Sequence, residues 1–269
     1  MSATAYDTAG TLLREWRQRR SLSQLALANE AEVSQRHLSF IESGRSAPSR
    51  SMIIRLADQL AIPLRERNAL LAAAGFAPVY ASRDVDDPEL KSSSEAVDLI
   101  LRGHEPYPAI AVDRHWNLLH ANRAVPQLLC GADDELLKPP LNILRLALHP
   151  GGIAPRIENF EEWREHLLRR LSREIDNTAD PVLIKLKDEL RSYPSRRSGK
   201  TSRHETPSLG GIAVPLRLLS ENGTLSLIST TTIFGTALDV GLSELTIESF
   251  FPADQETADL LKSSYADPE

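Results

Sequence analysis

Apolar residues in the first 75 positions recur every three or four residues, which is the spacing of an amphipathic helix. Leu12, Leu13 and Trp16 set this pattern in the first segment, and Leu25 and Ala28 continue it in the second. Hydroxyl-bearing residues that favour helix starts divide the stretch at regular intervals. The pattern therefore predicts five helices, over residues 8–20, 24–30, 35–43, 52–60 and 64–74.

The third predicted helix carries different chemistry on its two sides. Ser34 supplies an N-cap oxygen, Gly44 is the expected C-terminal stop, and Leu38 and Ile41 point inward. The side chains expected to point outward are those of Gln35, Arg36, His37 and Ser39. Glutamine can pair with adenine and arginine with guanine, and a short helix fits a major groove about 12 Å wide. This segment therefore has the chemistry of a DNA-recognition helix.

The loop after this helix suits contacts with phosphates. In the segment 44–50, Arg45, Ser46 and Arg50 offer guanidinium and hydroxyl groups. Such groups bind the DNA backbone and position a protein without reading sequence. The alternative is a plain bundle of five amphipathic helices whose arginines are solvated charges. The lack of lysine in this part of the chain, the polar third helix and the loop together favour DNA binding.

The second half of the chain has the order of an α+β domain. Segments of alternating polarity predict strands at 109–113 and 116–121, and a proline-rich segment precedes them. Asn222-Gly223 is a strong turn signal and predicts a hairpin with strands at 211–219 and 224–233. A fifth strand is expected near 245–251, followed by a closing helix that Asp254 caps. Helices are expected at 88–101, at 122–129 with Asn122 as its cap, and at 142–148, 159–175 and 181–191.

Charge divides the chain into two parts of opposite sign. The first 80 residues contain ten arginines, no lysine and seven acids, which gives a net charge of +3. The remaining residues carry −9, so the whole chain carries −6. This asymmetry predicts a modestly basic DNA-binding part joined by an acidic linker at 84–88 to an acidic second domain. A basic, serine-rich segment at 194–207 is expected to be a mobile loop.

Composition also limits the cellular context. No apolar run approaches the ~20 residues that span a bilayer, and the start lacks the pattern of a signal peptide. A single cysteine, Cys130, excludes an internal disulfide framework, and we expect it to be a small buried apolar side chain. We therefore expect a cytoplasmic protein that does not bind membranes.

Motifs of catalysis and metal binding were not found. The sequence has no Gly-x-Ser-x-Gly, no phosphate-cradling glycine loop and no His-Glu-x-x-His. His115 and His120 lie five residues apart, with His104 and His149 elsewhere, so a metal cluster is the alternative to separate surface or hydrogen-bonded histidines. We favour the second interpretation and predict no catalytic residue, no metal and no cofactor.

Candidate ligand-binding residues in the second half are His104, Tyr107, Trp116, Phe160 and Trp163. His104, beside Glu105 and Asp113, is either a polar latch over a pocket or a hydrogen-bonded loop anchor. The large aromatic residues either line a cavity or belong to an ordinary core. Phe250-Phe251 is either core or a dimer contact.

Residues 11–60 resemble the Xre and lambda-repressor type of helix-turn-helix domain. The resemblance rests on Gln24-Leu25-Ala26, Val33-Ser34-Gln35, Ile41-Glu42-Ser43-Gly44-Arg45 and Pro48-Ser49. It implies that Gln24 contacts a phosphate and braces the recognition helix, and that Arg17 pairs with Glu42. It also implies base contacts from Gln35, Arg36 and either Ser39 or Phe40. The candidate DNA-binding residues are therefore Gln24, Ser34, Gln35, Arg36, Ser39, Phe40, Arg45, Ser46 and Arg50.

One position departs from that family's pattern. Glu32 stands in the turn where the family usually has glycine. A left-handed conformation at Glu32 would cost roughly 1 kcal/mol, and the alternative is a turn of slightly different shape.

The second half resembles the MmyB-like ligand-binding domain, a PAS-like domain found behind Xre-type helix-turn-helix domains in bacterial regulators. The matching stretches are 64–71, Ala74-Gly-Phe-Ala-Pro, His104-Glu-Pro-Tyr-Pro-Ala, Asn122-Arg-Ala, Phe234-Gly-Thr and Phe250-Phe-Pro-Ala-Asp. The resemblance implies a five-helix lambda-repressor-like domain followed by a PAS-like domain with a five-stranded antiparallel sheet and flanking helices. We expect the DNA-binding domain at 1–79, a linker and connecting helix at 80–103, and an effector-binding domain at 104–269.

The sequence thus predicts a DNA-binding transcription regulator, with repression as the favoured direction. Its expected partners are double-stranded DNA with a near-palindromic operator, a second copy of the chain, and a small effector. Fatty-acid-like and other apolar molecules are the effector candidates that the resemblance offers. The alternatives are a second domain that only dimerises or docks a partner, and an enzyme that binds DNA to regulate its own synthesis. The lack of a nucleophile, metal or cofactor motif argues against the enzyme.

Overall fold

The computed structural model describes residues 8–83, 91–194, 214–234 and 239–266. The chain forms two compact units, and the first contains the described residues up to Arg83. Most of the later residues form the second unit. The predicted limits of the two domains and of the linker between them stay predictions.

The described residues up to Arg83 form five helices, as predicted. They are α1 (Ala9–Arg19), α2 (Gln24–Glu30), α3 (Gln35–Glu42), α4 (Arg50–Gln59) and α5 (Leu64–Ala73). A hydroxyl group caps each of the first four, because Thr8, Ser23, Ser34 and Ser49 accept a hydrogen bond from the backbone N–H three residues later. These bonds satisfy N–H groups that have no partner inside the helix.

The core of this unit is formed by one apolar face of each helix. Leu13, Trp16, Leu38 and Ile41 are buried, which confirms the predicted inward faces of α1 and α3. Gly10 allows α1 to approach α3 closely, since a Cβ atom at this position would lie 2.1 Å from the carbonyl oxygen of Ile41. The packing therefore fixes α3 against α1 along its apolar side.

The predicted inward face of α2 is partly wrong. Ala28 is buried as expected, but the side chain of Leu25 is 53% exposed. Leu27 and Ala31 join Ala28 in the core instead. In a helix of only seven residues, the apolar residues would allow either of two sides to face the core. Packing against α3 and α4 buries the side that carries Leu27.

The described residues after Arg83 combine helices with five strands. In chain order the elements are α6 (Lys91–Gly103), β1 (Ala109–Val112), β2 (Leu118–Ala121), α7 (Asp134–Leu137), α8 (Ile143–Leu148), α9 (Phe160–Thr178), α10 (Pro181–Ser192), β3 (Leu216–Ser220), β4 (Gly223–Ile233), α11 (Val240–Ser243), β5 (Thr246–Pro252) and α12 (Gln255–Ala266). The strands form one sheet in the order β2-β1-β5-β4-β3, and all neighbours are antiparallel. This is the predicted five-stranded antiparallel sheet with flanking helices.

The two faces of this sheet pack against different elements. Ile110 and Val112 of β1 point into the main core, which includes buried side chains of α8, α9 and α10. Ala109 and Ala111 point to the other face, because side chains alternate along a strand, and they pack with Val97 and Leu101 of α6. We call this second side the outer face of the sheet.

The predicted helix at 122–129 is wrong, since the described structure has only a short 3₁₀ turn at Pro126–Leu129. The side chain of Asn122 is buried and does not cap a helix. It accepts a hydrogen bond from the backbone N–H of Ala109 (3.1 Å) and donates to the carbonyl oxygens of Leu101 (3.1 Å) and Tyr107 (2.8 Å). These bonds hold the residue at the end of β2, and Pro126 lacks the N–H that a regular helix needs.

The prediction for Cys130 is also wrong, because this cysteine is exposed. It follows the 3₁₀ turn directly, and its thiol donates only a long contact to the carbonyl oxygen of Pro126 (3.9 Å). Because the turn ends at Leu129, Cys130 lies outside it, at the surface.

The hairpin and the closing helix agree with the sequence in most details. The turn contains two residues, Glu221 and Asn222, and Gly223 already pairs with Ser220 as the first residue of β4. Asp254 caps α12 by accepting a hydrogen bond from the N–H of Thr257 (2.7 Å). The acidic linker at 84–88 and all but the first residue of the segment 194–207 lie outside the described residues.

Candidate functional site

Helix α3 presents a polar side and is anchored by its apolar side. Leu38 and Ile41 are fully buried, whereas Gln35 and Arg36 are exposed. Ser39 and Phe40, one turn later, are half-buried. The structure thus places Gln35 and Arg36 on the exposed side of α3 and Leu38 and Ile41 on its buried side, as the sequence predicts.

Two helices, α1 and α2, hold α3 through the carboxylate of Glu42. Glu42 accepts hydrogen bonds from Arg17 Nε (2.7 Å) and Nη2 (2.8 Å) on α1, and from Gln24 Nε2 (2.8 Å) on α2. The hydrogen bond to Glu42 raises the pKa of Arg17 above its ordinary value. Arg17 also donates from Nη1 to the carbonyl oxygen of Leu22 (2.8 Å). The implied Arg17–Glu42 pair is confirmed, and Gln24 braces α3 as the resemblance implied.

An aromatic ring links α3 to the loop after it. The guanidinium groups of Arg36 and Arg45 lie 5.3 Å and 5.9 Å from the ring centre of Phe40. The carbonyl oxygen of Phe40 accepts hydrogen bonds from the backbone N–H groups of Arg45 (2.8 Å) and Ser46 (3.1 Å). Arg50 is exposed at the first turn of α4. Phe40 therefore connects the loop to α3 through its backbone, and its ring lies beside two guanidinium groups.

The turn between α2 and α3 takes the strained shape. Glu32 has a φ angle of +54° and thus lies in the left-handed region that favours glycine. Of the two alternatives for this turn, the structure has the left-handed conformation at Glu32, with its conformational cost of roughly 1 kcal/mol.

The second unit contains a small apolar cavity between the sheet and the helices α8 and α9. Its volume is about 80 Å³. Its lining is mostly aliphatic, with Leu144, Ala147 and Leu167 from the helices and Ile110 from the sheet. Trp116 and Trp163, two of the predicted ligand-binding residues, also line it.

One wall of the cavity carries charged groups, of which Glu248 is buried and Arg170 is half-buried. Arg170 of α9 makes two hydrogen bonds to Glu248 of β5, one of them from Nη1 to Oε2 at 2.9 Å. The Arg170 guanidinium lies 4.5 Å from the centre of the Trp116 ring, and the indole N–H of Trp116 donates to Glu174 Oε2 (2.7 Å). Burial raises the pKa of the Glu174 carboxyl. The cavity is therefore apolar except for an end formed by Arg170, Glu248 and Ser229.

The other three candidate ligand residues do not line this cavity. His104 Nε2 lies 2.8 Å from the carbonyl oxygen of Phe250, a hydrogen bond that supports its interpretation as a loop anchor. Tyr107 packs against the main core from outside, and Phe160 is buried in that core at the start of α9. Trp116 and Trp163 are brought together at the cavity, whereas His104, Tyr107 and Phe160 lie elsewhere.

The other histidines of interest pair individually. His115 Nε2 lies 3.0 Å from Asp180 Oδ2, and His120 Nδ1 lies 3.0 Å from Asp98 Oδ1. Within residues 8–83, 91–194, 214–234 and 239–266, no group of three or more potential metal ligands comes together. None of the helices described is long and apolar enough to cross a bilayer.

The charged wall of the cavity was not predicted from the sequence. Arg170 and Glu174 are spaced like an ordinary surface pair on a helix, and that pattern by itself does not indicate burial. Glu248 gave a weak signal, because it is an acid in the middle of the strand segment 245–251. Only the pairing of Glu248 with Ile110 on β1 shows that its side chain lies on the core face.

Two family models match this chain, one in its first part and one in its second part. Residues 13–67 match the family model of a helix-turn-helix domain, and residues 93–263 match the MmyB-like transcription regulator ligand binding domain. No curated protein is a significant match. A solved structure described as "Structure of an RNA-binding Light-Oxygen-Voltage Receptor" aligns at 13% identity and a TM-score of 0.29, over 96% of this chain. The chain spans 60% of that receptor's length, and a TM-score this low does not establish a common fold.

Proposed function

Because the chain belongs to the family of MmyB-like transcription regulators, we propose that a small apolar effector controls its affinity for one operator sequence. The two family matches make it a DNA-binding transcription regulator with a ligand-binding domain. Repression is the direction that we propose. The DNA-binding form is a homodimer, which suits a near-palindromic operator with half-sites about 34 Å apart.

The exposed polar side of α3 carries the DNA-binding part of the proposal. Gln35 and Arg36 are exposed on a helix whose other side is buried, and the Arg17–Glu42 pair fixes that helix. Gln35, Arg36, and Ser39 or Phe40 one turn later would contact bases. The groups proposed to contact the DNA backbone are those of Gln24, Ser34, Arg45, Ser46 and Arg50.

The cavity supports the effector part of the proposal. Ligand sites are usually apolar, with a few polar groups that orient the ligand. Trp116 and Trp163 would contact the apolar body of the effector, and the wall at Arg170 would receive its polar group. A cavity of about 80 Å³ is smaller than the roughly 300–1,000 Å³ of drug-sized sites, so an effector of that size must move the walls. That movement gives the effector different affinities for two conformations, which is the condition for regulation.

The first experiment selects DNA from a random pool with the whole 269-residue chain and measures fluorescence anisotropy on the selected and a scrambled duplex. We expect the selected duplex to bind at least 10³-fold more tightly at physiological salt, as for other specific regulators. Equal affinity for both duplexes would contradict sequence-specific regulation.

The second experiment tests the effector. Native mass spectrometry of freshly purified protein reports the dimer mass and any bound small molecule together. Medium-chain fatty acids and the matching alcohols are then tested for a thermal shift and for an effect on anisotropy. If no compound binds and no adduct is present, the second domain is better described as a dimerisation or docking module.

A further inference from the structure

The connecting helix α6 has a second apolar side that faces solvent. Val97 and Leu101 cover the outer face of the sheet. On the opposite side, the side chains of Leu99 and Ile100 are 73% and 43% exposed. The α6 stripe consists of Ala96, Leu99, Ile100 and Gly103, which are all exposed.

The spacing of the α6 stripe is that of a helix contact surface. Its four members follow the pattern i, i+3, i+4, i+7, which places them in one row along two turns of helix. The small residues at both ends, Ala96 and Gly103, permit close approach of another backbone, and the large ones lie in the middle. Contiguous apolar surface of this kind on a soluble domain marks an interaction site more often than scattered apolar residues do.

The apolar surface continues onto the sheet at the end of α6. The ring of Phe251 is 41% exposed and lies 4.6 Å from the ring of His104, the residue directly after α6. Phe251 shares the outer face of the sheet with Ile247, because residues four apart in a strand point the same way. Phe251 is thus an exposed apolar side chain that contacts the residue directly after the stripe.

Two charges beside the stripe indicate what covers it. Glu95 and Arg102 are exposed and seven residues apart, so they lie on the same flank of the α6 stripe at its two ends. When two copies of α6 pair antiparallel about a two-fold axis, this flank of one helix lies beside the same flank of the partner helix. The two helices run in opposite directions, so the start of one flank lies beside the end of the other. Glu95 then meets the partner's Arg102, and Arg102 meets the partner's Glu95. In a parallel pair the two flanks lie on opposite sides, and neither contact forms.

The stripe is complementary to itself in the same arrangement. With the two-fold axis between Leu99 and Ile100, Leu99 lies against the partner's Ile100 and Ala96 against the partner's Gly103. The same patch on both copies then forms an isologous interface, which is the usual form of a symmetric dimer.

We propose that the α6 stripe is the homodimer interface of this regulator, with the two α6 helices antiparallel and joined by Glu95–Arg102 pairs. This inference rests on the homodimer of the proposed function and assigns its surface. The dimer requires no DNA and no effector, so the proposal is tested on the whole 269-residue chain alone.

The first test compares two isoleucines of equal exposure. Ile100 in the α6 stripe and Ile184 on α10 are each 43% exposed. Sedimentation equilibrium should show that Ile100→Lys raises the dimer dissociation constant at least tenfold, while Ile184→Lys leaves it unchanged. Circular dichroism checks that both variants are folded. If both variants dimerise like the wild type, another surface forms the dimer.

The second test reverses the charges. Glu95→Arg and Arg102→Glu should each weaken the dimer on the order of tenfold, since each places like charges together at two symmetric positions. The double variant restores opposite charges and should regain most of the affinity. A double variant as weak as the single ones overturns the antiparallel arrangement. A wild type that stays monomeric with and without operator DNA overturns the homodimer itself, whereas a dimer insensitive to these changes overturns only the α6 interface.

Discussion

Glu42 at the end of α3 binds Arg17 of α1 with both carboxylate oxygens, at 2.7 Å and 2.8 Å. Both side chains are almost completely buried. A buried ion pair adds little net stability, but the loss of one partner leaves a buried charge without compensation. The pair therefore fixes the position of α3 more than it stabilises the fold.

Removal of one partner should destabilise the DNA-binding domain strongly. We expect Arg17→Met to cost about 3–5 kcal/mol of unfolding free energy, because Glu42 would stay buried without its main partner. The double variant Arg17→Met, Glu42→Met should lose less than this single one. Urea denaturation measures the total, and hydrogen exchange of α3 amides locates the loss. A double variant less stable than the single one would contradict this account.

Arg36 and Arg45 should differ in what they contribute to DNA binding, although both lie over Phe40. Arg36→Ala should cost roughly 1–3 kcal/mol on the selected operator and relax the base preference at one position. Arg45→Ala should weaken operator and scrambled DNA alike and reduce the salt dependence of binding. Anisotropy titrations at several salt concentrations separate the two effects. Equal losses on both duplexes for both variants would refute this division.

The DNA-binding domain was largely predictable because its structure follows from local signals. Each of its first four helices begins at a hydroxyl residue, and the core spacing of α1 and α3 identifies the inward face. The effector domain was less predictable, since its details depend on contacts between distant residues. Asn122 has the sequence of a helix cap but binds three backbone groups near β1. Likewise, only strand pairing places Glu248 beside the cavity.

Filling the cavity should separate effector response from DNA binding. Ala147 lines the cavity, so Ala147→Leu should occupy much of its volume of about 80 Å³. We expect this variant to lose the thermal shift caused by fatty acids or alcohols that bind the wild type, and to keep its operator affinity. Ala121→Leu, at an exposed alanine of β2, is the control. An unchanged ligand response in Ala147→Leu would place the effector outside this cavity.

The carboxyl group of Glu105 should titrate in strong acid. The hydrogen bond from Arg123 is the main cause that lowers its pKa to about 2, and Tyr265 Oη on α12 adds a further bond at 2.5 Å. A lowered carboxyl pKa stabilises the fold above the unfolded value of about 4.5, and this contribution is lost as the pH falls from there towards 2.

Carbon-13 NMR of the carboxyl groups measures this titration directly. The Arg123→Gln variant should shift the Glu105 midpoint upward, towards its ordinary value. The stability difference between the wild type and Glu105→Gln should shrink as the pH falls below 4.5. A difference that stays constant from pH 6 to pH 3 would show that Glu105 is not coupled to folding through its charge.

The caps of the first four helices have an electrostatic consequence. Thr8, Ser23, Ser34 and Ser49 are uncharged, and none of these four helices has an acid in its first turn. The partial positive charge at each amino end is therefore not neutralised within the helix. Aspartate caps would have given the same fold but would repel a polyanion. In the proposed function, hydroxyl caps would let a domain of modest net charge attract phosphates with its peptide backbone as well as with its arginines.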